Sequence, residues 1–198
     1  MYSQDNEEAM ILEHFDGKMG RLLDIGASDG ERFSNSRALM LSGWFGVLVE
    51  PCARSFAKLV ELYYDNPTAI LVNAAISPFD ALSSGLSRLN YALDTVVSTF
   101  DGLTYEAWKA SGRYRDVLIP TITVADLFAQ VAPSFQFVTV DAEGWSFLIA
   151  RRLLEHLSPS LWVIESDPDF HEFDAIMKSK GYQYVKSTQS NSIWKKAA

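Results

Sequence analysis

The stretch Leu22–Ser36, LLDIGASDGERFSNS, closes an apolar run on an acid, Asp24, and follows it with two glycines, Gly26 and Gly30, separated by three residues. An apolar run ending on an acid reads as a buried parallel strand, and the glycine turn brings backbone close to a ligand. A dinucleotide turn has the form G-x-G-x-x-G, whereas Ser28 stands here in place of the middle glycine. Asp24 and Asp29 add negative charge where a pyrophosphate would lie, so the pattern points to a cationic ligand carrying a ribose.

A second acid tests that expectation. Glu50 ends the run FGVLVE twenty residues after Gly30, where a carboxylate accepts hydrogen bonds from both ribose hydroxyls. S-adenosylmethionine satisfies both sites, its sulfonium and ammonium beside the loop acids and its ribose on Glu50. Its adenine then lies against NAAIS, where Asn73 is polar, Ala74 and Ala75 leave room for a flat ring, and Ile76 packs on it. Methyl transfer from a sulfonium needs a nucleophile held in line and, for an alcohol, a base. Asp141 and Glu143 in VDAEG follow a predicted strand into the same cleft: one can serve as base while the other contacts the methionine end or the acceptor. The bland alternative makes Asp141 a helix cap and Glu143 its first-turn decoration. His171 is a rival base, ranked below the acids because it opens an amphipathic helix; His14 and His156 read as surface or interhelix residues. Asp141 with Glu165, Asp167 and Asp169 offers oxygen ligands for Mg²⁺ or Ca²⁺, yet DPD is equally a turn and N-cap sequence, and no metal is assigned.

These residues must be positioned by an α/β framework. Strands are expected at about Arg21–Ile25, Phe45–Glu50, Ala69–Ala75, Phe135–Asp141 and Leu161–Ser166. Helices are expected at Arg32–Leu41, Ser55–Tyr64, Val124–Val131, Phe147–His156 and Phe170–Lys180. YQYVKS and NSIWKK alternate around Thr188–Ser190 as an antiparallel hairpin. Periodicity fades over about 78–120, read as an irregular insertion or cap where substrate choice resides; Tyr91, Phe100, Tyr105 and Trp108 within it are read by default as the cap's core.

The chain of 198 residues, 48% hydrophobic, suffices for one domain spanning 1–198. Its one cysteine, Cys52, excludes an internal disulfide, and the acidic MYSQDNEEAM lacks a signal-peptide layout, so a cytoplasmic setting is expected. Apolar runs are strand-length, which argues against a membrane span. A net charge of −8, with basic clusters no larger than Arg113–Arg115 and Lys195–Lys196, argues against nucleic-acid partners. Nothing in the sequence sets an oligomeric state.

The ordered set DIGASDGERFSNS, GWFGVLVEPC, NAAIS, VSTF, VDAEG and GYQYV…NSIW resembles the FkbM family of class I S-adenosylmethionine-dependent methyltransferases, from about Asp5 to Trp194. Ser34–Asn35, Gly43–Trp44, Glu50–Pro51 and Asp141–Gly144 carry the family-level likeness. The resemblance implies a Rossmann-like, mostly parallel sheet closed by an antiparallel hairpin, and O-methylation of a sugar or hydroxylated metabolite. It further implies a cofactor site made by Asp24, Gly26, Ala27, Ser28, Gly30, Phe33 and Ser34, by Glu50 and Pro51, by Asn73, Ala75 and Ile76, and by Asp141, with Asp141 and Glu143 catalytic. Ala142 replaces the family's usual Val, and the segment Phe79–Asp116 departs from its pattern. Methylation of a base nitrogen is disfavoured, because that chemistry pairs with an Asn/Asp-Pro-Pro-aromatic loop where DAEG stands. From another class, a regulatory protein that kept the cofactor pocket and lost turnover is opposed by the acids at Asp24, Glu50, Asp141 and Glu143.

Overall fold

Apolar runs that end on acids need burial on both faces and a solvent-facing end, and an α/β sheet supplies both. The computed structural model describes residues 1–79, 85–92, 98–99, 102–166 and 170–197. Its main sheet contains β1 (Arg21–Ile25), β2 (Phe45–Val49), β3 (Ala69–Val72), β7 (Phe137–Val140), β8 (Leu161–Glu165), β9 (Tyr182–Ser187) and β10 (Asn191–Lys196). The strand order is β3-β2-β1-β7-β8-β10-β9. The first five run parallel, and β10 is antiparallel to both β8 and β9. The order in which strands are added therefore reverses between β1 and β7, which are themselves parallel, and ligands collect at such a switch point.

Alternation along each strand splits the core into two layers. Leu23, Ile25, Val138, Val140 and Trp162 face a layer containing α5 (Val124–Gln130), α6 (Ser146–Leu153) and α7 (Phe170–Ser179). Leu22, Leu48, Phe137 and Val163 face α1 (Glu7–Phe15), α2 (Arg37–Leu41) and α3 (Ala53–Tyr63). Asp24 shares the parity of Leu22, but it sits near the strand end and accepts a hydrogen bond from Ser36 instead of joining the apolar packing.

Several elements differ from expectation. The helix expected from Arg32 begins only at Arg37, because Phe33 adopts φ 61° and Ser34 Oγ accepts the Arg37 N–H, local bonding that competes with a helix. The third strand stops at Val72; Ala75–Ser77 forms β4, which pairs with β6 (Tyr114–Thr123) in a separate three-stranded sheet. The span 78–120, expected to be irregular, carries β5 (Gly85–Ala92), antiparallel to β6, and α4 (Gly102–Trp108). Leu89, Ile119 and Ala75 form its small core. No element is expected in the polar N-terminus, yet α1 forms there and buries Ile11 and Phe15 against the sheet.

Candidate active site

The carboxyl ends of β1, β2, β7 and β8 surround one cavity of about 670 Å³. Gly26 sets its shape. At φ 85° its N–H donates to Val49 O at 2.9 Å, and a Cβ there would lie 1.7 Å from Asp141 O. Only glycine lets the loop after β1 cross the backbone leaving β7, and that crossing brings Asp141 to the loop's side.

Glu50, 6% exposed, is the hub of the β1–β2 end. Ser28 N–H donates to Oε2 at 2.8 Å and Cys52 N–H to Oε1 at 2.6 Å, leaving each oxygen a further lone pair. Burial raises its pKa to about 7 against those two donors, with the charges of Asp24 and Asp29 adding to the rise. Asp24, 4% exposed, accepts from Ser36 Oγ at 2.5 Å, and burial raises it to about 6.

A second group of acids faces them. The carboxylate oxygens of Asp141, Glu143 and Glu165 lie within 4.8 Å of one another. Glu165 Oε2 accepts the Glu143 N–H at 2.9 Å and the Ser146 hydroxyl at 2.7 Å, while Thr99 Oγ1 donates to Glu143 O at 2.7 Å. These bonds hold Glu143 at φ 47°, an uncommon backbone conformation for a glutamate. Asp141 opens on the cavity. The residue is exposed to the cavity, yet enclosure by the surrounding protein raises the pKa of its carboxyl above the carboxylate range, and the charges of Glu143, Asp24 and Glu50 push in the same direction.

Of the residues expected to hold a cofactor, Asp24, Gly26, Ala27, Ser28, Phe33, Ser34, Glu50, Pro51, Ala75, Ile76 and Asp141 line this cavity, as does Glu143. Two do not. Gly30 turns toward α3, where a Cβ would meet Leu59 Cδ1 at 2.5 Å, so its glycine serves loop-on-helix packing. Asn73 is exposed and donates through Nδ2 to Glu50 O at 2.8 Å, so it steadies the end of β2 from outside. His171 is exposed on α7 and does not line the cavity. His14 bonds Ser160 Oγ at 3.0 Å, and His156 lies edge-on to Phe128. Asp167, Asp169 and Phe100 lie outside the described residues. Trp108, expected in the cap's core, is 45% exposed and lines the cavity instead.

Glu165 is expected from the sequence only as a candidate oxygen ligand for a metal, yet it anchors the turn that carries Glu143. The signal was available, since Glu165 closes LWVIE as Glu50 closes FGVLVE. Trp145, Cys52 and Arg32 also line the cavity and had no comparable mark.

The cavity suits S-adenosylmethionine in size, in a buried carboxylate with spare acceptor capacity for ribose, and in acids for its cationic groups. No described helix is long and apolar enough to cross a membrane. Among solved structures, the chain is similar to a methyltransferase FkbM from Methylobacillus flagellatus KT (13% identity, TM-score 0.55), covering 89% of this chain and 43% of that one. It thus spans less than half of that protein's length. It is also similar to a precorrin-6y C5,15-methyltransferase from Geobacter metallireducens GS-15 (12% identity, TM-score 0.53, covering 96% and 86%). A third is a putative RNA methyltransferase from Pyrococcus horikoshii (10%, TM-score 0.51, covering 97% and 83%). No curated protein matches. At these identities the structures speak for the fold alone, whereas residues 24–184 match the methyltransferase FkbM domain, four-fifths of the chain including every cavity-lining acid, and the chain belongs to the FkbM methyltransferase family.

Proposed function

We propose that this chain is an S-adenosylmethionine-dependent O-methyltransferase acting on a sugar or hydroxylated small metabolite. The observation carrying the reading is that one cavity joins Glu50, a buried carboxylate with lone pairs to spare, to Asp141, a carboxyl of raised proton affinity open to the same space. When bound, S-adenosylmethionine supplies an electrophilic methyl on a positive sulfur, and its departure as a neutral thioether needs no acid.

The chain's own residues supply the remainder. Glu50 accepts the ribose hydroxyls. An Asp141 carboxylate oxygen takes the acceptor's hydroxyl proton, a role suited to a carboxyl whose proton affinity is raised above the usual carboxylate range. Glu165 fixes the turn so that Glu143 stays beside Asp141. Trp108 and Trp145 give the cavity an apolar wall against which an acceptor excludes water. The net charge of −8 favours a small acceptor over nucleic acid or membrane, and the lone thiol suits a cytoplasmic setting.

Labelled S-adenosylmethionine with a panel of sugars and hydroxylated metabolites tests the reading. Asp141→Asn is expected to lower turnover by roughly 10² to 10⁴ with cofactor affinity nearly unchanged. Parent-rate transfer by both Asp141→Asn and Glu143→Gln removes the acid pair from the chemistry. Cofactor binding with no methyl incorporation across the panel favours a regulatory protein without turnover.

A metal-assisted transferase is the second reading, favoured by the spacing of Asp141, Glu143 and Glu165. Turnover that survives EDTA keeps Asp141 as base, and turnover lost to EDTA and restored by Mg²⁺ gives the trio to a cation.

A further inference from the structure

The charges around the cavity are unbalanced in a way that one residue addresses. Six acids line it: Asp24, Asp29, Glu50, Asp141, Glu143 and Glu165. They suit a sulfonium, an ammonium and ribose hydroxyls. They also repel the one anionic group of S-adenosylmethionine, the carboxylate of its amino-acid tail. Among the described residues, three cations line the same cavity, Arg32, Arg54 and Lys58.

Two of these are engaged elsewhere. Lys58 Nζ lies 4.0 Å from Asp29 Oδ2. Arg54 opens α3 two residues past Cys52, beside the Glu50 end, with its guanidinium 6.0 Å from the Tyr91 ring centre. Arg32 differs in position and in partners. It follows the glycine loop three residues before Asn35, whose Nδ2 donates to Thr139 Oγ1 on β7 at 3.2 Å, and β7 lies across β1 and β2 from β3, the strand that leads to Ala75 and Ile76. Its guanidinium makes no ion pair among the described residues and rests 4.6 Å over the Phe33 ring. Its backbone N–H donates to Asp29 Oδ1 at 2.9 Å, which fixes where the side chain departs.

Resting on the cofactor reading above, we propose that Arg32 grips the carboxylate of the cofactor's amino-acid tail, with Phe33 as the shelf that orients it. A planar guanidinium matches a carboxylate with two parallel N–H donors, and stacking on a ring restricts the side chain before the ligand arrives. The backbone of Phe33 agrees with such a duty. An aromatic residue at φ 61°, 43% exposed on the cavity rim, is strained and incompletely buried, a combination that packing alone does not favour.

Decarboxylated S-adenosylmethionine keeps the adenosine, sulfonium and ammonium and lacks only the carboxylate, so it isolates the contact. By titration calorimetry on the full chain, the parent is expected to bind S-adenosylmethionine about tenfold more tightly than this analogue, a modest factor because Arg32 is exposed. Arg32→Gln should erase that preference while binding the analogue as tightly as the parent or more so, since the analogue is the more cationic ligand. Arg32→Lys should keep part of the preference. Because the side chain is exposed, melting of the variants should match the parent, and calorimetry then reads the contact itself.

A preference retained in Arg32→Gln places the carboxylate elsewhere and overturns the proposal. So does an equal loss of affinity for both ligands, which would make Arg32 a shaper of the loop. A parent that binds both ligands alike overturns the carboxylate grip and leaves the cofactor reading standing. A parent that binds neither overturns the cofactor reading and the grip with it.

Discussion

Glu50 is held in its cleft at a cost to folding, and that cost is measurable. Its folded pKa of about 7 lies above the ordinary 4.5, so its contribution to stability is fully present below pH 4.5 and is lost as pH rises through 7. Asp24, raised to about 6, has the same sign at lower pH. The ligand-free protein is therefore expected to melt at falling temperature from pH 5 to pH 8. Glu50→Gln should flatten that slope, although one amide NH₂ would then face a backbone donor, Ser28 N–H or Cys52 N–H, and lower stability at every pH. The same variant should bind S-adenosylmethionine about 10- to 100-fold more weakly through loss of charge-assisted hydrogen bonds. Thermal melts across pH with calorimetric titration check both, and a parent slope kept by the variant removes Glu50 as the titrating group. Glu50, Asp24 and Asp141 were legible because an acid closing an apolar run is conspicuous in any sequence. Gly30 and Asn73 do not line the cavity, and sequence does not show which side of a loop a residue faces: Gly30 packs under α3, and Asn73 braces Glu50 from outside.

At the scale of elements, the site depends on two strand ends crossing at Gly26. Gly26→Ala places a Cβ 1.7 Å from a backbone carbonyl at φ 85°, and no side-chain rotation relieves that contact. A destabilisation of about 2 to 4 kcal/mol is expected, with cofactor binding lost as Asp141 moves. A Cβ at Gly30 meets side-chain atoms instead of backbone, Leu59 Cδ1 at 2.5 Å and Tyr63 Cε2 at 3.0 Å, so Gly30→Ala should cost about 1 to 2 kcal/mol, from that crowding and its φ of 76°, and leave binding largely intact. Urea unfolding with ligand titration separates the two, and equal damage from both variants contradicts the crossing. The parallel strands and the final hairpin were readable because burial on two faces writes continuous apolar runs, and a hairpin writes period two. The β5–β6 pair escaped notice for the opposite reason. Its outer face is solvated, with Leu86 67% and Leu118 62% exposed; Pro120 interrupts β6; and the 21 residues between the strands give no short-turn signal. Helix α1 escaped because it buries little more than Ile11, Phe15 and an acid.

That acid, Glu7, joins the two ends of the molecule. Fully buried, it accepts Thr188 Oγ1–H at 2.6 Å and Asn191 Nδ2–H at 2.9 Å on Oε1, and Asp5 N–H at 2.9 Å on Oε2. Asp5 Oδ2 in turn accepts the Ser190 N–H at 2.8 Å. The turn between β9 and β10 is thereby clamped to the segment before α1, and Gln4, Gln189 and Ser190 reach the cavity from that joint. Burial pushes the pKa of Glu7 up, but hydrogen bonds from Thr188, Asn191 and the Asp5 backbone outweigh it and leave the value lowered. The sign is opposite to that of Glu50: this contribution is present above pH 4.5 and lost as pH falls through the lowered folded value. Glu7→Gln keeps the size, removes the charge and turns one acceptor into a donor, so it should cost about 1 to 3 kcal/mol at pH 7. That gap should narrow as the pH falls from 4.5, where the unfolded chain begins to protonate, through the lowered folded value, below which the parent carries a protonated Glu7 as well. Hydrogen exchange should show the Ser190 and Asn191 amides opening faster in the variant, while the central β1 and β7 amides keep their protection relative to global stability. A gap that stays constant from pH 7 to below 4 would mean that the carboxylate charge does not hold the joint, and packing of α1 against the sheet would be left to join the ends of the chain.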